Sequence, residues 1–182
     1  MFRKFTAILA FLLIAMGAVV PNSEAASKRE IDAGVRATLD KFFDKTRGAR
    51  ELADKSVGML VFPSVVKAGF GIGGEYGEGA LLLRNRTDNY YNIVSASIGF
   101  QLGVQQRSVI IAFMTASALR QFRKTHGWKI GVDGSVAVIT LGAGASIDTN
   151  KITSPVVGFV LDPKGLMHNL TLEGSKISRI SR

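Results

Sequence analysis

The residues able to do chemistry fall in a few short segments. Gly69-Phe-Gly-Ile-Gly-Gly74 matches G-x-G-x-x-G. A dinucleotide site needs a strand before that pattern and a helix opening at its last glycine. Here Glu75-Tyr-Gly-Glu-Gly79 follows, too rich in glycine to open a helix, and no strand–helix–strand alternation surrounds it. The spacing suits a glycine-rich hairpin in which small residues allow close backbone approach. Lys67 beside exposed backbone amides offers one alternative, a phosphate contact. His126 and His168 are the only histidines, and neither has a second ligand at metal spacing. Glu75 and Glu78 are paired acids of the kind any loop holds. No serine sits in a nucleophile elbow. The absence of cysteine excludes disulfides, thiolate nucleophiles and thiolate metal sites. The sequence therefore points to no enzyme and no cofactor. Asn85-Arg-Thr87 and Asn169-Leu-Thr171 match the glycosylation sequon, a pattern short enough to recur by chance.

The strongest binding candidate is Arg120-Gln-Phe-Arg-Lys-Thr-His-Gly-Trp-Lys129. On a helix from Thr115, Ala118, Leu119 and Phe122 share one side, and Arg120, Arg123 and Lys124 the other. Lys129 and the single tryptophan, Trp128, follow. Clustered bases attract an anionic membrane by about 1 kcal/mol each near its surface, and tryptophan suits the headgroup zone. The same segment also reads as a solvated basic face with Trp128 in the core. Lys176, Arg179 and Arg182 either extend the patch or fray.

These residues must be carried by a fold. Arg3 and Lys4 precede an apolar run from Phe5 to Val20, then Pro21 and Ser23-Glu24-Ala25. A basic start, an apolar centre and small residues before a cut after Ala25 describe a secretory signal peptide. The run is also near the lower limit for an uncleaved span. Cleavage removes Arg3, Lys4 and Glu24 from 23 bases and 14 acids, leaving 26–182 as one domain of net charge +8. Residues 106–182 hold 10 bases against 4 acids, which points to one basic face. An exported protein rarely meets nucleic acid, so the expected partner is an anionic lipid or membrane surface, with an unidentified protein partner as the alternative. The expected location is the periplasm or the periphery of the cell envelope.

Residues 27–46 read as a helix, with Ile31, Val35, Leu39, Phe42 and Phe43 on one stripe and a capping box at Ser27 and Glu30. Glu30, Asp40 and Asp44 on its far side favour packing on a sheet over lying on anionic lipid. A short second helix is expected at 49–55. Strands are expected at 57–62, ended by Pro63, and at 79–84, 92–104, 108–114, 128–139, 141–148, 154–162 and 166–173. In 92–104 the apolar Val94, Ala96, Ile98, Phe100, Leu102 and Val104 alternate with small or polar residues, so one face should be buried. The fold class expected is α+β: N-terminal helices packed on a strongly curved, barrel-like antiparallel sheet with one short helical insert.

Two long blocks carry a resemblance. GMLVFPSVVKAGFGIGGEYGEGALL (58–82) and YYNIVSASIGFQLGVQQ (90–106), with WKIGVDGSVAV (128–138) and DPKGLMHNLTLEGSKI (162–177), resemble the SYLF domain family of bacterial exported proteins and eukaryotic membrane-trafficking and actin-patch proteins. The resemblance implies lipid binding, notably of phosphoinositides in eukaryotic members, actin binding in fungal ones, and no enzymatic activity. It matches Phe62, Pro63, Lys67, Gly69, Gly71, Gly73, Gly74, Gly77, Gly79, Gly99, Gln101, Gly103 and Gln105. Lys67 alone of these has a charge to offer a phosphate. Two further readings stand beside a lipid-binding domain. One is a structural or protein-interaction module of the envelope. The other is an integral outer-membrane barrel, which the alternating strands permit and the helices and the 15 aromatics of the whole chain oppose.

Overall fold

The computed structural model describes residues 26–70, 72–98, 103–142, 144–164 and 172–182. The leader segment, His168 and the Asn169 sequon lie outside them. Helix α1 (Lys28–Lys45) starts at the expected capping box: Ser27 Oγ accepts from the Glu30 N–H at 3.3 Å, and the Glu30 carboxylate accepts from the Ser27 N–H at 2.6 Å. That bond holds the Glu30 carboxyl below the usual carboxylate range. A short helix α2 (Ala49–Lys55) follows. Then come β1 (Gly58–Phe70), β2 (Ile72–Leu83), β3 (Arg86–Ile98), β4 (Gly103–Phe113), α3 (Ala116–Lys124), β5 (Trp128–Lys129), β6 (Ala137–Leu141), β7 (Val156–Lys164) and β8 (Lys176–Ile180). All eight strands join one curled sheet in the order β5-β8-β3-β2-β1-β4-β7-β6. The protein is thus α+β, helices on a strongly curled sheet, as the sequence predicts. Every pairing is antiparallel except β6 with β7, which is parallel.

The sheet is buried on both faces over its first part. Ile31, Val35, Leu39 and Phe42 of α1 pack on Met59, Val61, Ala80, Leu82, Ile110 and Phe159. On the opposite face Leu119 and Phe122 of α3, with Trp128, pack on Leu60, Phe62, Leu81, Tyr91, Ile93 and Phe113. The near-continuous apolar runs at 59–62 and 109–113 follow from this two-sided burial. We call the two sides the α1 face and the α3 face.

Four expectations need correction. Pro63 does not end its strand. A bulge at Phe62–Val65 absorbs the residue with no N–H to give, and the Pro63 carbonyl accepts from Ser108 Oγ at 2.7 Å. The strand expected over 92–104 is the end of β3 and the start of β4, two neighbours of the central hairpins rather than one strand. The stretch 141–148 is a loop after Leu141, and 128–139 is broken at the turn between Ile130 and Gly134. Of the two readings open for the C-terminal segment, fraying does not hold: β8 pairs with β3 from Tyr90 to Val94, and Arg182 forms an ion pair with Glu78.

Candidate functional site

Helix α3 runs from an N-cap at Thr115 to a C-cap at Thr125. Leu119 and Phe122 are buried, and Arg120, Arg123 and Lys124 are exposed. Arg123 is 3.3 Å from the Asp88 carboxylate, which ties α3 to β3. Arg120 and Lys124 make no ion pair among the described residues. Lys129 is exposed on β5 and stands in register with the exposed Lys176 of β8. The aliphatic stem of Lys176 lies against Gly127, where a Cβ would be 2.2 Å from it. Arg120, Lys124, Lys129 and Lys176 therefore lie along α3 and the sheet edge that follows it. Two further exposed bases, Arg84 and Arg86, come from the β2–β3 turn, whose Arg84 and Asn85 adopt the left-handed conformation. Leu83 beside them and Leu119 of α3 both border Gly58. No local pattern signals this meeting, because it is made by the fold.

Trp128 must be corrected. It is 2% exposed, with Phe122 edge-on at 5.4 Å and 86°, and Gly134 lies so close that a Cβ there would be 2.6 Å from the indole. It is core, not a headgroup anchor. Lys67 also stands apart from the basic helix. It pairs with Gln105 on β4, eight residues before the end of that strand, so about 26 Å of strand separates the two levels. β1 is paired on both sides through Gly69, so its backbone lies within the ladders and offers no open amide cradle.

Lys67 instead belongs to a row of polar residues on the α3 face. Register places Lys67 between Glu75 and Gln105, and Glu75 beside Ser95. The Glu75 carboxylate accepts from Arg107 Nη2, and from Ser95 Oγ at 3.2 Å. Glu75, Gln105 and Arg107 are all nearly buried, and Arg107 Nε has no partner among the described residues. Gly77, in line with Val65 and Arg107, bears no side chain to obstruct Arg107 as it reaches across β1. Among the described residues no cluster of histidine, cysteine or acids fits a metal ion.

The other side of the same strands carries exposed apolar residues among polar ones. Register aligns Gln106, Val66, Tyr76, Val94, Lys176 and Lys129 in one row across the sheet, beside the polar row of Ser64, Glu78 and Asn92. Val104, Ala68, Gly74 and Ala96 form the next. These rows lie beyond the end of α1, where a groove of about 730 Å³ is bordered by Ala26, Ile31, Val66, Tyr76 and Val94. The alternation expected in 92–98 is present, but Val94 faces outward and Ser95 inward.

The class is therefore an α+β domain built on one curled sheet, with a basic helix-and-edge surface and no metal cluster among its described residues. Residues 94–181 match the family model described as Ysc84, Las17-binding protein actin regulator. SH3 domain-containing YSC84-like protein 1 of Xenopus laevis is 29% identical over 126 residues, covering 66% of this chain and 37% of the relative. The Bos taurus protein of the same name is 28% identical over 137 residues, covering 72% and 40%. The chain spans about 40% of the length of these curated relatives. With the blocks at 58–82 and 90–106, these matches support the resemblance to the SYLF (Ysc84) domain family.

Proposed function

We propose that this protein is an exported, non-enzymatic lipid-binding domain of the cell envelope that docks peripherally on anionic headgroups. The observation that carries the reading is the run of exposed bases along α3 and the adjoining sheet edge: the side chains of Arg120, Lys124, Lys129 and Lys176 form no ion pair among the described residues, while the Asp133 carboxylate accepts from the Lys129 N–H at 2.7 Å. Their attraction to an anionic surface is screened over roughly 10 Å at moderate salt. Arg123, half-used by Asp88, contributes less, and Lys67 sits on the polar row rather than on this surface. Export is supported by the leader-like residues 1–25 and their small-residue cleavage site.

Co-sedimentation of the purified protein with vesicles tests this. Phosphatidylcholine alone should leave it in solution. Addition of phosphatidylglycerol should pellet it, with affinity falling as salt rises. Replacing the four bases by alanine should weaken binding by about fivefold per residue and flatten the salt dependence. Binding indifferent to lipid charge would overturn the assignment. A second reading, a protein-interaction module, is favoured by the matching family's description as a Las17-binding actin regulator; it expects association with a protein that salt does not weaken.

A further inference from the structure

The outward face of β1–β3 beyond α1 has the wrong polarity for water. Val66, Tyr76, Val94 and Val104 are 39, 46, 43 and 70% exposed, four of the seven most exposed large hydrophobic residues among those described. They share one face and two adjacent rows. On the reverse of the same strands, Glu75, Gln105 and Arg107 are 5 to 6% exposed. In water the hydrophobic effect drives the opposite choice: apolar side chains in, charges out. Polar residues on the enclosed side and apolar ones outside are the arrangement of strands whose outer solvent is lipid.

Charge supports the same occupant. The sequence holds no charged residue from 68 to 74, where β1 passes to β2, or from 89 to 106, which runs from β3 to β4. The carboxylates near the groove are all engaged within the protein. Glu30 caps Ser27, Glu75 holds Arg107, and Glu78 binds Arg182 and the Tyr76 hydroxyl. The exposed charges at the rims are mostly positive: Lys28 and Arg29 beside the single acid Glu30 in the first turn of α1, and Lys176 and Lys129 ending the Val66–Tyr76–Val94 row. An apolar strip with basic ends matches the boundary between acyl chains and anionic headgroups.

We infer that this face enters the headgroup–acyl boundary of an anionic bilayer, with Lys129 and Lys176 at headgroup level. The inference rests on the lipid-binding reading and extends it from electrostatic docking to shallow insertion. Depth follows from geometry. From Val66 to the end of β1 at Phe70 the strand rises about 13 Å, less than half of a hydrocarbon core of about 30 Å. The face is an interfacial wedge and does not span.

The test exploits a chain without cysteine. V66C and V94C, each labelled with an environment-sensitive fluorophore, are compared with S117C on the exposed side of α3. On phosphatidylcholine–phosphatidylglycerol vesicles the labels at 66 and 94 should shift to the blue and be quenched by acyl-brominated phosphatidylcholine, and the label at 117 should not. The triple substitution V66S/Y76S/V94S, at sites already in solvent, should weaken vesicle binding about tenfold while leaving its salt dependence in place. Vesicle-bound protein whose labels at 66 and 94 stay in water would overturn the insertion and leave electrostatic docking intact. A blue shift that grows with protein concentration without vesicles would overturn it in favour of a second copy on this face. Failure to bind any vesicle would overturn both this inference and the lipid-binding reading.

Discussion

The Glu75–Arg107 pair offers a prediction that the structure makes asymmetric. Both side chains are about 5% exposed, so neither charge is relieved by water when the other is removed. Breaking a buried pair by removing one partner costs about 3–5 kcal/mol, because the remaining charge is left uncompensated. Removal of the arginine, in R107M, leaves Glu75 with the Ser95 hydroxyl and with Lys67 in the neighbouring ladder position. Its cost should lie near the lower end, about 3 kcal/mol. Removal of the carboxylate charge, in E75Q, leaves a guanidinium whose Nε already lacks a partner, and its cost should approach about 5 kcal/mol. The double variant E75M/R107M removes both charges and should recover to within about 1 kcal/mol of the parent protein or exceed it. Urea unfolding followed by circular dichroism measures this, with ΔG taken by linear extrapolation and the slope checked for constancy. With E75M added, the parent, E75M, R107M and E75M/R107M form a double-mutant cycle whose coupling term should be several kcal/mol. The reasoning is refuted if E75Q falls within about 0.5 kcal/mol of the parent, the range of a surface substitution. It is equally refuted if the double variant is as unstable as the two singles combined.

Two further outcomes follow from packing. A methyl group at Gly79 would lie 2.1 Å from the Val61 carbonyl oxygen and 2.7 Å from the Phe62 ring, so G79A should destabilise by about 1–3 kcal/mol, read as a lowered thermal midpoint. Since Trp128 packs on Phe122 inside the core, its emission should not shift when anionic vesicles are added. W128A should lower stability by about 3–5 kcal/mol without specifically weakening vesicle binding in the protein that stays folded; a vesicle-induced shift of the Trp128 emission would contradict its burial.

Much of the helical structure was legible in the sequence because its signals are local. The three-and-four spacing of Ile31, Val35, Leu39 and Phe42, with Ser27 and Glu30 as caps, describes α1 completely, and Thr115 and Thr125 bracket α3. The glycine run at 69–74 reads correctly as a hairpin. The failures have one cause: they depend on neighbours distant in sequence. Pro63 reads as a stop until β2 and β4 are present to accommodate the bulge. The alternation across 92–104 persists through a reversal of direction, so periodicity sees one strand where there are two. Periodicity also identifies two faces without saying which is covered, so Val94 was expected inside. Trp128 has the same residue type in a core or at a membrane, and only the contact with Phe122 decides. For Arg107, a charge between Gln105 and Val109 in an otherwise apolar strand was a signal in the sequence, but its partner Glu75 stands two strands away.

The place of β8 bears on how the chain is made. Strands β1, β2 and β3 join as hairpins between neighbours in sequence and β4 pairs with β1, whereas residues 176–180 return to β3 from more than eighty positions downstream. Closure over such a separation is slow relative to hairpin formation. A chain still emerging during synthesis can therefore assemble β1 to β4 but must leave the Tyr90–Val94 edge of β3 open until β8 is released. An open edge of that kind recruits strands from other chains. The nascent protein is at its greatest risk of aggregation just before β8 emerges, and a carrier that shields this edge would protect it there.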